Sequence, residues 1–165
     1  MGEITLSAPT LLAATYELED FRCGITSLDT WLARRARTNQ LTGTSRTYVV
    51  AAGQKIVGYY CLASGALAVN DAPSPLRRNM PDPIPMAILG RTAVDETWHN
   101  RSLGVALLQD AVLRTTQAAD ILGIRGLMVH AISDTAKRFY EHHGFTPAPT
   151  QPMTLLLALK PTEKS

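Results

Sequence analysis

The sequence predicts an α/β fold, a mixed central β-sheet flanked by helices on both faces. Three observations lead there. Ile84–Val94 is a mostly continuous apolar segment, as expected of a strand at the centre of a sheet. Leu103–Leu122 places Leu107, Leu108, Ala111, Val112, Ala118, Ala119 and Leu122 on one broad stripe, the signature of an amphipathic helix. A second pair follows, with Gly126–His130 as a buried strand and a helix through about His143.

The remaining elements fill in around these. Ser27 is read as the N-cap of a helix with Leu28, Trp31 and Leu32 on one face. That helix carries Arg34, Arg35 and Arg37 and should end near Gly43. Arg46–Ala52 reads as a strand, since Thr47-Tyr48-Val49-Val50 is β-branched and aromatic. Gly53-Gln54 is a plausible hairpin turn into a long strand over residues 55–69, bent at Gly65. Residues 71–85 hold Pro73, Pro75, Pro81, Pro83 and Pro85, which favours a stiff, shaped loop with one helical turn at residues 74–78. Gly123 stops the long helix, Ser133 caps the next, Gly144 ends it, and residues 153–159 supply a last strand.

At 165 residues the chain is read as one domain spanning residues 1–165. A hydrophobic content of 45% against 18% charged residues reads as soluble and globular. No apolar run reaches the roughly 18 residues of a spanning helix, and the N-terminus lacks a basic region followed by an apolar stretch. The expectation is therefore no membrane, no signal peptide and a cytoplasmic setting. Cys23 and Cys61 stand far apart without a ligand-spaced partner, and adjacent helical residues such as His142-His143 point in different directions. No metal is expected.

The net charge is only +2, but its distribution is uneven. No acidic residue falls between Asp29 and Asp71, whereas Arg34, Arg35, Arg37, Arg46 and Lys55 do, and Arg77 and Arg78 follow. Arginine suits phosphate because its planar fork makes paired hydrogen bonds. A solvated helix face is the ordinary explanation, and an RNA backbone or an acidic protein partner are the sharper ones.

The turn after Ile84–Val94 carries the most chemistry. Unpaired amides and the dipole at a helix N-terminus favour an anion, above all a phosphate. The order strand, turn, helix, strand, then Ala136-Lys137-Arg138-Phe139-Tyr140-Glu141-His142-His143-Gly144-Phe145, resembles the GNAT N-acetyltransferases, which grip the pyrophosphate of acetyl-CoA on such a turn. The family pattern Gln/Arg-x-x-Gly-x-Gly/Ala fits Arg101-Ser102-Leu103-Gly104-Val105-Ala106 letter for letter. Counting from the strand end at Ala93-Val94 places the turn instead on His99, Asn100, Arg101, Ser102, Leu103 and Gly104. In that register His99 replaces Gln/Arg and Ser102 replaces the first glycine. Serine keeps the amide and adds a hydroxyl but restricts φ, so weakened cofactor binding is expected. The resemblance implies acetyl-CoA contacts at Ala93, Val94, these six residues and Ser133. It implies Tyr140 as the general acid for the departing thiolate; packing in the core is the commoner role of a lone tyrosine.

A narrower resemblance covers about residues 20–160. Leu76-Arg77-Arg78-Asn79-Met80-Pro81-Asp82-Pro83-Ile84-Pro85, Gly58-Tyr59-Tyr60-Cys61-Leu62-Ala63 and Gly90-Arg91-Thr92-Ala93-Val94-Asp95 are similar to segments of GNAT toxins from bacterial toxin–antitoxin pairs. It implies acetylation of the α-amine of aminoacyl-tRNA, a translation block, a ribbon-helix-helix antitoxin and a homodimer. Arg77, Arg78, Arg34, Arg35 and Arg37 would then hold tRNA phosphates. The central strand offers no carboxylate base, with Asp95 and Glu96 just past its end, which suits an α-amine better than a lysine. Acetylation of a small amine or a protein N-terminus, and a GNAT-fold binding module without turnover, stay open as alternatives.

Overall fold

The structure, a computed structural model, describes residues 6–159. Residues 1–5, part of the N-terminus read for a targeting signal, and residues 160–165, which complete the expected 1–165 domain, lie outside the described residues. The strands are β1 (Thr10–Leu11), β2 (Arg46–Ala52), β3 (Lys55–Leu67), β4 (Ile84–Val94), β5 (Gly126–His130), β6 (Thr146–Pro147) and β7 (Thr154–Ala158). The helices are α1 (Thr26–Arg34), α2 (Ala36–Thr42), α3 (Ser74–Arg77), α4 (Leu103–Leu122) and α5 (Asp134–His142). The sheet runs β1-β2-β3-β4-β5-β7-β6. β4 and β5 are parallel, while β1/β2, β2/β3, β5/β7 and β6/β7 are antiparallel, so the sheet is mixed as expected.

Two compact units divide the chain. The first comprises the described residues up to 63 together with 91–111. Its core joins Phe21, Leu28, Trp31, Leu32, Ile56 and Tyr59. Tyr59 stacks on Trp31, meets Phe21 edge-on, and donates its hydroxyl to the carbonyl of Leu28 at 2.7 Å, so no polar atom of that ring is stranded. A bulge shifts the β2/β3 register between Val50 and Ala51. Gly58 lets the first turn of α4 approach β3, because a Cβ there would meet Leu103 and Leu107 at 3.2 Å.

The second unit comprises residues 64–90 and 112 onward. The β4/β5 ladder runs from Met86↔Gly126 to Leu89↔Val129, and β7 covers the other edge of β5 from Gly126↔Ala158 to His130↔Thr154. One face carries Ile84, Met86, Met128 and Leu156, with Leu76 of α3 packed on it. Gly65, expected at a bend, lies in close approach to the Ile88 side chain, which would have to shift to admit a Cβ there.

Several boundaries differ from the sequence reading. α1 begins at Thr26, and Ser27 is not its cap; the N-cap is Ile25, which makes no side-chain hydrogen bond. Asp29 of the first turn reaches back instead to the amide of Cys23 at 2.9 Å. The single arginine-bearing helix is two helices, broken at Arg35 (φ −118°). No glycine or proline marks that break. It turns Ala36 into the core, fully buried, and lets the Arg37 guanidinium bind the carbonyls of Ala14 and Tyr16. β3 stops at Leu67 because the chain turns into a 3-10 turn at Val69–Asp71, where Asp82 accepts from the amide of Val69. The two-residue strands β1 and β6 are too short to leave a periodic signal.

Candidate active site

In the first unit, β4 leads into α4 through a turn that is bonded up to His99 and open beyond it. The amide of Asp95 donates to Val57 O at 2.8 Å. Its carboxylate accepts from the amides of Arg22 and Thr97, each at 3.0 Å, and from the Thr97 hydroxyl at 2.7 Å. Burial pushes this carboxyl up, but the hydrogen bonds from Thr97 and Arg22 outweigh it and hold Asp95 below the ordinary carboxylate range. With its lone pairs engaged and its proton affinity lowered, Asp95 is a poor general base. His99 donates Nε2–H to the carbonyl of Val94 at 2.7 Å, which ties the turn back to the end of β4.

Beyond His99 the pattern changes. Asn100 (φ 63°) and Ser102 (φ 61°) both lie in the left-handed region. Asparagine tolerates that region, whereas serine there costs on the order of 1 kcal/mol. Ser102 thus adopts the conformation for which a glycine would be preferred, one residue before α4 begins. The letter-for-letter alternative, residues 101–106, would put four of its six positions inside α4. Ala106 donates to Ser102 O at 3.2 Å; among the described residues, no acceptor is found for the amides from Asn100 through Val105. A Cβ on Gly104 would meet nothing within 4 Å, so the protein itself does not require a glycine there. Arg101 rests its guanidinium 4.8 Å from the centre of the Trp98 ring. Unbonded amides, a helix dipole, space over Gly104 and a nearby cation together fit a diphosphate.

In the second unit, β5 leads into α5 through a different turn. Ser133 is an extended N-cap (φ −161°) whose hydroxyl accepts from the amide of Ala136 at 3.1 Å. Tyr140 is buried at 8% exposure, with its ring edge-on to Phe139 and Phe145. Gly144 (φ 93°) ends the helix, as its position in the sequence suggests. Two further contacts went unread in the sequence. His130, the last residue of β5, contacts the Thr154 hydroxyl through Nδ1 at 2.9 Å, and Thr154 donates to Gln151 Oε1 at 3.2 Å. Their only sequence signal is a histidine at a strand end.

The arginines separate by environment. Arg77 and Arg78 are exposed on α3 and just after it, with Leu76 buried beneath as an anchor. Arg34 and Arg35 are exposed, and Arg34 lines a groove of about 460 Å³ with Glu19, Arg22 and Asp29. Arg37 does not join them, because its Nη2 is engaged by the carbonyls of Ala14 and Tyr16. Burial, aided by a hydrogen bond to Asp29, pushes the Cys23 thiol up to about 11, so it stays protonated and unreactive at neutral pH. Among the described residues no group of three His, Cys, Asp or Glu side chains is placed to hold a metal.

A mixed sheet whose parallel strand β4 runs into a turn that fits a diphosphate is the frame of an acyltransferase that takes its acyl group from coenzyme A. The chain belongs to the GNAT family of acetyl-CoA-dependent N-acetyltransferases: the family described as acetyltransferase (GNAT) domain matches residues 43–147. It is 45% identical over 154 residues to the tRNA-acetylating toxin of Mycobacterium tuberculosis (strain ATCC 25618 / H37Rv), covering 93% of each chain. Its fold is similar to that of AtaT complexed with acetyl-methionyl-tRNAfMet, with a TM-score of 0.87 and 26% identity, covering 93% of this chain and 95% of that one. It is also similar to a tyrosine-to-phenylalanine mutant of AtaT bound to the C-terminus of the antitoxin AtaR and acetyl-CoA (TM-score 0.81, 25% identity, 93% and 92% covered).

Proposed function

We propose that this chain is a toxin that acetylates the α-amine of the amino acid on charged tRNA and so stops translation, with residues 1–165 acting as one catalytic domain. The observation that carries the chemistry is the open turn: the amides from Asn100 through Val105 at the start of α4 have no acceptor among the described residues. The choice of acceptor rests on 45% identity, over 93% of both chains, to a tRNA-acetylating toxin.

Acetyl-CoA supplies an activated acetyl thioester. The amides of the turn, with Arg101, bind its diphosphate, and the main chain at Ala93 and Val94 lies alongside. Tyr140 holds the proton that the departing sulfur needs. The acceptor amine must be neutral to attack. A lysine near pKa 10.4 is neutral in about one molecule per thousand at pH 7.5, a cost of about 4 kcal/mol. An α-amine near 7.7–8 is about one-third neutral, and its ester is more acidic still. Asp95, held ionised by three hydrogen bonds, gives no help to a lysine. Arg77 and Arg78, exposed above the buried Leu76, bind phosphates of the acceptor stem, assisted by Arg34 and Arg35.

A ribbon-helix-helix antitoxin and a homodimer complete the reading. The charged-tRNA acceptor puts the site of action in the cytoplasm; among the described residues no helix is long and apolar enough to cross a membrane. Incubation with acetyl-CoA and total charged tRNA, followed by mass spectrometry of aminoacyl-adenosines, should show an N-acetylated species. Acetylation of free amines but of no charged tRNA would replace this reading with a small-amine transferase. Changing Arg77 and Arg78 together to alanine should weaken tRNA acetylation and lower the slope of log rate against log salt by about 1.5; an unchanged slope removes them from the RNA contact.

A further inference from the structure

We propose that His130 is the base that takes the proton released by the incoming α-amine, and that Thr154 is the positioning residue that sets its tautomer. This inference rests on the aminoacyl-tRNA reading above and adds to it a residue of the same reaction.

The hydrogen bonds fix the proton positions. Thr154 donates its single hydroxyl proton to Gln151 Oε1 at 3.2 Å. Its contact with His130 Nδ1 at 2.9 Å therefore needs the histidine to donate. Nδ1 then carries the hydrogen, and Nε2 of the neutral ring keeps its lone pair. Among the described residues Nε2 has no partner. The same logic of a base oriented through its other nitrogen underlies nucleophile activation in hydrolases.

The placement is equally specific. His130 and Thr154 face each other as the last cross-strand pair of β5 and β7. They continue the row of Met128 and Leu156, two buried apolar residues, so this face turns from apolar to polar where β5 ends. The last β4 partner is Leu89↔Val129, so His130 is the first residue of β5 beyond that ladder. The carboxyl ends of parallel strands are where α/β sheets bind ligands. α3, which carries Arg77 and leads to Arg78, packs through Leu76 on that same face. Thr154 is 5% exposed, whereas His130 is exposed, so a buried hydroxyl orients an accessible ring.

The proton balance closes. As the N–C bond forms, the nitrogen sheds one proton to His130 Nε2. As the C–S bond breaks, the sulfur takes one from Tyr140. The imidazolium returns a proton through solvent to the tyrosinate, and both side chains are restored.

The test compares wild type with His130→Ala, Thr154→Val and Thr154→Ser in acetylation of charged tRNA, with acetyl-CoA affinity by calorimetry as the check on folding. His130→Ala should lower kcat about 100-fold without moving KM for either substrate, and free imidazole should restore part of the rate. Thr154→Val should lower kcat about tenfold, and Thr154→Ser should recover it. A His130→Ala enzyme with wild-type kcat, or one whose loss lies in KM and ignores imidazole, overturns the assignment. Equal loss in Thr154→Val and Thr154→Ser overturns the positioning role. Wild-type protein that binds acetyl-CoA but acetylates no charged tRNA brings down the functional reading and this inference with it; wild-type turnover with an indifferent His130→Ala brings down this inference alone.

Discussion

The two strand-to-helix turns that follow the parallel strands solve one problem in opposite ways. Every helix start leaves amides without intrahelical partners. At β5→α5 the protein answers internally: Ser133 sits in relaxed extended backbone and caps Ala136. At β4→α4 it does not. Two non-glycine residues hold positive φ, and the amides after them stay unbonded. An ordinary cap would have cost nothing in composition, since serine is present at position 102. Strain combined with unsatisfied donors is what supports the proposal that the first turn receives its partner from outside. The second turn is a scaffold for Tyr140.

That contrast can be broken at several points. The largest effect belongs to Tyr140→Phe, which should lower kcat by about 100-fold or more while calorimetry finds acetyl-CoA affinity unchanged. A matching loss of affinity would move Tyr140 from proton donor to pocket wall. Gly104→Ala comes next and should split stability from binding. The new methyl meets no protein atom, so Tm should hold or rise, by the equivalent of about 0.5 kcal/mol, because alanine restricts the unfolded chain. Acetyl-CoA affinity should nonetheless fall about tenfold, because the methyl fills the space over the amides. Unchanged affinity would mean that the diphosphate lies elsewhere.

Asp95→Asn probes the base of the open turn and should cost about 1–2 kcal/mol at neutral pH. The wild-type carboxyl titrates lower when folded than when unfolded. Its contribution is therefore present above the unfolded value near 3.9 and disappears as pH falls through the folded one. Thermal melts against pH should show the two proteins converging at the acid end, and a constant gap would contradict the role given to its charge. Ser133→Ala should have the smallest effect, about 1 kcal/mol of stability with a smaller change in acetyl-CoA affinity than Gly104→Ala. The reverse ranking would make the second turn part of the diphosphate site.

Local signals read well in this chain. The bounds of β4 and α4 follow from a mostly continuous apolar run and a 3.6-residue stripe, and Gly43, Gly123 and Gly144 all hold the positive φ of a helix end. The turn at His99–Gly104 and the helix of Tyr140 were likewise legible, because motif and spacing lie within a few residues of one another. The arginines read less well. Their number and spacing are local, but which of them stay available is not.

Sequence alone therefore determined the order of elements, the family, and the place of the two strand-to-helix turns to which the proposed chemistry is assigned. Tertiary structure decided which polar groups remain available for that chemistry. Arg37 is withdrawn by a carbonyl 21 residues away, Asp95 is saturated by an amide 73 residues away, and His130 is oriented by a hydroxyl 24 residues away. The helix break at Arg35 has no local cause for the same reason: it is set by what Ala36 and Arg37 meet once the chain has folded. Propensity and periodicity act over a few residues, whereas hydrogen-bond saturation depends on partners that only packing brings within reach.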